Sequence, residues 1–242
     1  MQRSTDDTPD ATAMYRSTRE RFVGLGRSLT EEQGALVVPA TPAWTVKDNF
    51  AHMAGAADDV LNGRIEDAAT DPWTQAQVDA RRDHTLARVL DEWERLGPTM
   101  DTLLDQLGDA MDPRLFIDQW THEQDVRGAV AVPGGGDAPV VAWGARVLVG
   151  GWVHRITRAG LPALTIRSDD GEWVAGDTAT DGGPGPAASL DIDAFTAMRV
   201  GVGRRSAAQL AALDWRGVDD PSVYFPRMVV FSIAERDIID AR

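Results

Sequence analysis

The chain has no cysteine among its 242 residues. Disulfides, thiolate metal sites and a cysteine nucleophile are thereby excluded. Any thiol chemistry must use a thiol supplied from outside. Long apolar runs are missing too: none approaches the roughly 18 residues of a membrane-spanning helix. The opening MQRSTDDTPD lacks the apolar core of a secretory signal. The expectation is a cytoplasmic protein without a membrane partner. Basic residues are outnumbered by acidic ones, 24 to 38, for a net charge of -14. Such a surface opposes non-specific binding to nucleic acid and anionic lipid, so neither is an expected partner.

What is present suits a folded enzyme-sized protein. Hydrophobic residues make up 43% of the chain, enough for a substantial core in one large or two small domains. The first half reads helical. A periodic segment at about 10 to 28 carries Met14, Tyr15, Phe22, Val23 and Leu25. VVPATPAW follows as a loop punctuated by proline. Thr45 with Asp48 three residues on looks like a capping box. The helix it opens places Val46, Phe50, Met53, Ala57 and Leu61 on one stripe. A third helix is expected from about Thr74, with Val78, Leu86, Val89, Trp93 and Leu96 inward, ended or kinked at Pro98. A fourth begins after MDP and runs to about Val130, with Pro113 in its first turn.

VPGGGDAP, residues 132–139, marks a boundary between domains at 1–131 and 140–242. Beyond it VVAWGARVLVGGWVHRI reads as a helix, and LTIRSDDGEWVA as a hairpin with Asp170-Gly171 in its turn. DTATDGGPGPAA reads as a flexible loop, SLDIDAF as a strand and SAAQLAAL as a short helix. The fold class is α+β: a four-helix bundle followed by a small mixed α+β domain.

The fourth helix contains FIDQWTHEQDVRGA. With about 100° per residue, Gln119, His122 and Val126 fall within about 40° of Leu115, and Asp118 and Asp125 at roughly 280–300°. Asp118, His122 and Asp125 therefore share the edge of the buried stripe. Such a set can ligate a metal, act as an acid-base pair, or form a structural ion-pair cluster. His52, in WTVKDNFAHMAG, lies on a stripe edge of the second helix with Asn49, Ala56 and Asp59. Two imidazoles and a carboxylate from facing helices would make an open divalent-metal site. His84 and His154 have no such setting and read as structural or surface residues. Arg82 falls about 40° from Val78, on the inner face of the third helix. It is a candidate for binding a substrate carboxylate, for pairing with Asp118 or Asp125, or for reaching the surface. Trp44 reads as a packing staple before the Thr45 cap.

WTVKDNFAHMAG and, about 70 positions later, DQWTHEQDVRGA resemble the mycothiol-dependent maleylpyruvate isomerase family, within the wider DinB-like metal-dependent four-helix proteins. The C-terminal VGVGRRSAAQLAALDWRGVDDPSVYFP is similar to that family's sterol-carrier-like α+β domain. The resemblance implies a zinc-type divalent ion held by His52, Asp118 and His122. Asp118 stands where the family's characterised isomerase carries Glu, one methylene longer. It implies that Asp125 orients the His122 ring, and that an arginine of the C-terminal domain serves the cleft. Arg204 is the best match, with Arg205 beside it.

The implied activity is activation of mycothiol for isomerisation or S-transfer on a small electrophile, in a cytoplasmic, actinobacterial setting. The other readings are a metal-dependent enzyme of specialised metabolism that uses no thiol, and a non-catalytic protein that binds metal or ligand. A monomer or homodimer is expected.

Overall fold

A computed structural model describes residues 10–177 and 188–242. The N-terminal part contains α1 (Ala11–Ser28), α2 (Glu31–Gly34), a short hairpin of β1 (Val37–Val38) and β2 (Thr41–Thr45), α3 (Val46–Leu61), α4 (Asp71–Asp79), α5 (Leu86–Leu107) and α6 (Arg114–Val130). Helices α1, α3, α5 and α6 form the bundle: α1 and α3 each pack against both α5 and α6. The stretch VVPATPAW is thus partly a hairpin, with Val37 paired to Thr45.

Side-chain caps decide where these helices start. Asp10 accepts from the Ala13 N–H at 3.1 Å. At α3 the capping box forms as its sequence predicts: the Asp48 N–H donates to Thr45 Oγ1 at 3.2 Å, and the Thr45 N–H to Asp48 Oδ2 at 2.9 Å. Each cap satisfies backbone donors that a first helical turn leaves open. The expected single third helix is in fact two. Thr85 Oγ1 accepts from the Arg88 N–H and starts α5 afresh, and residues 80–84 form tight turns between. Pro98 ends nothing. It sits inside α5, where the helix continues to Leu107.

The helix break reverses the roles of two arginines. Projection from Val78 no longer holds beyond Asp79. Arg81 is the buried one, paired with Glu92 of α5 at 2.5 and 3.0 Å. Arg82, expected on the inner face, leaves its side chain 72% exposed against Asp79.

The bundle core is apolar and aromatic. Phe22 packs on Phe50 with ring centroids 4.4 Å apart and edge-on to Trp93 at 5.6 Å. Gly55 on α3 is needed for close approach of α4: a Cβ there would stand 2.4 Å from Cβ of Gln77.

The second part contains α7 (Pro139–Arg158), β3 (Leu164–Ser168), β4 (Gly171–Ala175), β5 (Ser189–Asp191), α8 (Ala194–Gly201), α9 (Ala207–Ala211), β6 (Asp214–Arg216) and α10 (Phe225–Met228). Its sheet has the order β4-β3-β5-β6, with β3 and β5 parallel and the outer pairs antiparallel. Ser168 pairs with Gly171, so the hairpin turn is Asp169-Asp170 and Gly171 opens β4. Most of DTATDGGPGPAA, residues 178–187, lies outside the described residues. One compact unit ends at Gly135 and takes in Asp240–Arg242; the other covers Gly136–Ile239. The fold class is α+β, a helical bundle with a smaller mixed part. Among the described residues, no helix is long and apolar enough to cross a membrane.

A buried ion pair ties α1 to α5. Arg19 donates to Asp101 through both terminal nitrogens, at 2.7 and 3.1 Å, and Arg16 adds a third bond at 2.8 Å. Burial would raise the Asp101 carboxyl, but the two guanidinium groups outweigh it and hold it below the ordinary range. The folded state therefore favours the ionised form. That stability is present above the carboxyl's unfolded value and disappears as pH falls through the folded one. Asp101→Asn should lose about 3 kcal/mol at neutral pH. Urea unfolding of variant and wild type should converge as pH drops below about 4.

Candidate metal centre

Helix α6 carries Asp118 and His122 one turn apart, and α3 brings His52 against them. Asp118 Oδ2 lies 3.3 Å from His52 Nε2, and Asp118 Oδ1 lies 3.4 Å from His122 Nε2. The three ligand atoms fall within 4.8 Å of one another. Both imidazoles are buried, whereas the Asp118 side chain is 43% exposed. The cluster is therefore walled inside the bundle on the histidine side and open on the carboxylate side.

Two amide side chains decide what the rings present. Gln77 on α4 donates its Nε2 to Asp59 at 2.7 Å, so its Oε1 faces His52 Nδ1, at 2.6 Å, and can only accept. Asn49 donates its Nδ2 to the Thr45 carbonyl at 2.9 Å and to Thr41 Oγ1 at 3.2 Å. Its Oδ1 then accepts from His122 Nδ1 at 2.8 Å. An amide oxygen needs an N–H opposite it. Both rings must therefore carry their proton on Nδ1. Both Nε2 atoms face the Asp118 carboxylate, at 3.3 and 3.4 Å, and each offers a lone pair when its ring is neutral.

Three electron-rich atoms facing one another repel unless a proton or a cation lies among them. Burial lowers the pKa of His122, though Asp118 pulls the other way. For Asp118, burial would raise the carboxyl, but His122 and His52, in their protonated form, outweigh burial and hold it well below its usual range; a cation in place of those protons would do the same. An ionised carboxylate and two neutral imidazoles suit a zinc-type divalent ion, with positions left for water or substrate.

The remaining expected residues fall out differently. Asp125 Oδ2 is 3.8 Å from His122 Nδ1, too long for a hydrogen bond, and Asn49 holds that nitrogen instead. Asn49 reaches across from the facing helix, a pairing invisible to a reading of one helix at a time. Arg82 lies in the turn after α4, paired with Asp79 at the surface. Arg204 follows α8 in the second unit, half-buried, with Nη1 donating to the Val202 carbonyl at 3.2 Å. Arg205 beside it is buried and donates to the Arg204 carbonyl. His154 is exposed and His84 half-buried, as structural or surface residues should be. Trp44 is more than a staple. Its ring centroid stands 5.2 Å from His52 and 5.9 Å from His122, and its indole N–H donates to Gln75 at 3.2 Å.

With this geometry in hand, residues 14–132 match the family model of the DinB superfamily. Just under half of the chain is thus similar to the DinB superfamily. The crystal structure of the mycothiol-dependent maleylpyruvate isomerase is similar in fold, with a TM-score of 0.51 at 12% identity, over 80% of this chain and 88% of that one. A histidine-to-alanine mutant of that isomerase gives a TM-score of 0.49 at 11% identity, over 79% and 87%. No curated protein is similar enough to count as a match. The bundle here brings His52, Asp118 and His122 together.

The amides generate a prediction. Gln77→Leu keeps the bulk but frees the His52 ring to turn and change tautomer. Metal affinity, measured by competition with a chelator, should fall about 10- to 100-fold.

Proposed function

We propose that the chain is a metal-dependent enzyme that uses mycothiol to isomerise a small electrophile, or joins the whole thiol to it through sulfur as an S-transferase. The observation that carries this reading is the pair of imidazoles locked with Nε2 toward Asp118. Two neutral rings held this way would each turn an Nε2 ligand toward the same carboxylate, which is the donor set that a divalent ion takes.

His52, Asp118 and His122 would hold the ion, zinc or a similar divalent metal. When bound, such an ion lowers the pKa of a thiol beside it, so that the thiolate form is available near neutral pH. The chain's own residues do the rest. Gln77 and Asn49 hold the rings still. Trp44 covers them. The half-exposed Asp118 leaves the approach to the cluster on its side. With no cysteine in the sequence, the thiol is a cosubstrate, and a reduced low-molecular-weight thiol belongs to the cytoplasm. Arg204 enters as the cation for the substrate through the family resemblance alone.

Elemental analysis of the wild type, His52→Ala and His122→Ala is the first test. The wild type should carry about one equivalent of metal and both variants almost none. Mycothiol consumption with 1-chloro-2,4-dinitrobenzene, maleylpyruvate and other small electrophiles should be metal-dependent and lost in both variants. A metal-loaded protein that consumes no thiol with any of them refutes the thiol reading.

A further inference from the structure

Gln119 is buried to 2% exposure, and neither its amide oxygen nor its nitrogen has a hydrogen-bond partner. A buried amide open at both ends is unfavourable, and natural folds rarely keep one without a use.

Its direction follows from its neighbours on α6. On one side, Phe116 meets Tyr15 of α1 with ring centroids 6.2 Å apart, and Glu123 pairs with Arg21 of α1 at 2.6 Å. On the other, Asp118 and His122 meet His52 and Asn49 of α3. Gln119 lies between these two faces on the helical projection. It therefore points into the bundle interior, next to His122.

Two more polar groups face the same interior. Trp93 of α5 is 1% exposed, and its indole nitrogen lies near the Tyr15 hydroxyl without forming a proper hydrogen bond. Tyr15 is itself buried, and the Asp118 carboxylate is among the charges acting on its phenol. Burial pushes that phenol up to about 12, so it remains a neutral donor at physiological pH. The charges nearby are already matched: Arg19 and Arg16 are both bonded to Asp101. Away from the His52–Asp118–His122 cluster itself, a carboxylate entering here would meet only guanidinium groups already bonded to Asp101, and its burial would be costly.

We propose that Gln119, with Tyr15 and Trp93, forms a recognition subsite for a neutral hydrogen-bonding group, an amide, carbonyl or hydroxyl, on the molecule handled at the His52–Asp118–His122 cluster. This rests on the reading of that cluster as a catalytic metal site. The amide offers a donor and an acceptor, and the indole and phenol add donors. Phe22, Phe50 and Phe116 supply apolar surface around them.

The test uses matched probes that differ only in charge: cinnamamide and cinnamate, crotonamide and crotonate, benzamide and benzoate. Each is titrated by ligand-observed NMR into the full chain, with metal and after chelator treatment. In the chelator-treated wild type, where no ion can take the carboxylate, the amide of at least one pair should bind about tenfold more tightly than its carboxylate. Gln119→Leu should lose that preference, keep the wild-type metal content, and melt no lower than wild type, because it removes an unpaired buried amide. Equal or absent binding within all three pairs overturns the proposal. So does a Gln119→Leu protein that melts below wild type or fails to fold, since the amide would then be satisfied by a buried water and be structural. Titration of chelator-treated protein separates the two readings. Missing metal with a retained amide preference sinks the metal enzyme alone, and bound metal without that preference sinks the subsite alone.

Discussion

Two hydrogen bonds from imidazole Nδ1 to amide oxygen govern the candidate site. Neither ring is free to choose which nitrogen faces Asp118, because each amide is itself committed on its far side. Gln77 is committed to Asp59, which in turn accepts from Arg64 at 2.7 Å. Asn49 is committed to the Thr45 carbonyl at the start of α3. The same Thr45 that caps the helix thus anchors the residue that fixes His122. Capping and ligand orientation are one piece of local structure.

Holding Gln77 in place requires α4 to stay tight on α3. Gly55 allows the approach, and the Arg81 guanidinium secures it. Arg81 donates to the Gln77 carbonyl at 3.1 Å and to Glu92 of α5. A buried ion pair is weak evidence of net stability, because desolvation offsets most of the attraction. Its value here is positional. It fastens the C-terminal end of α4 to a third helix, and with it the residue that orients His52. The Arg19–Asp101 pair does the same between α1 and α5.

The bundle was legible where a local signal carried it. Thr45 with Asp48, the apolar stripe of α3 and the start of α6 after Pro113 all predict what forms. The break before α5 depends on one hydroxyl, Thr85, competing with a continuous apolar pattern, and the pattern misleads. Read as one continuous helix, the pattern turns Arg82 inward and Arg81 outward, the reverse of what forms. His52, Asp118 and His122 could be placed on helix edges by spacing, but their convergence depends on α3 facing α6, which periodicity does not encode. Asn49, Gln77 and Trp44 were harder still. Each acts through a residue 73, 25 or 8 positions away. Asp125 was attractive because it is three residues from His122, yet sequence proximity lost to a better-aimed acceptor across the helix interface.

The charge balance around the cluster argues about selectivity. One carboxylate and two neutral imidazoles would leave a divalent ion with one net positive charge, on a chain whose net charge is -14. Long-range attraction for anions is therefore poor, and the polar groups deeper in the bundle are neutral or already paired. Discrimination there must come from hydrogen bonds made in a desolvated setting, where a missing partner is expensive. Fold similarity at 12% identity transmits the frame on which this depends. The amide of Gln119, buried without a hydrogen-bond partner, faces the interior of that frame. The proposed choice of substrate is made there, inside the bundle on the inner face of α6.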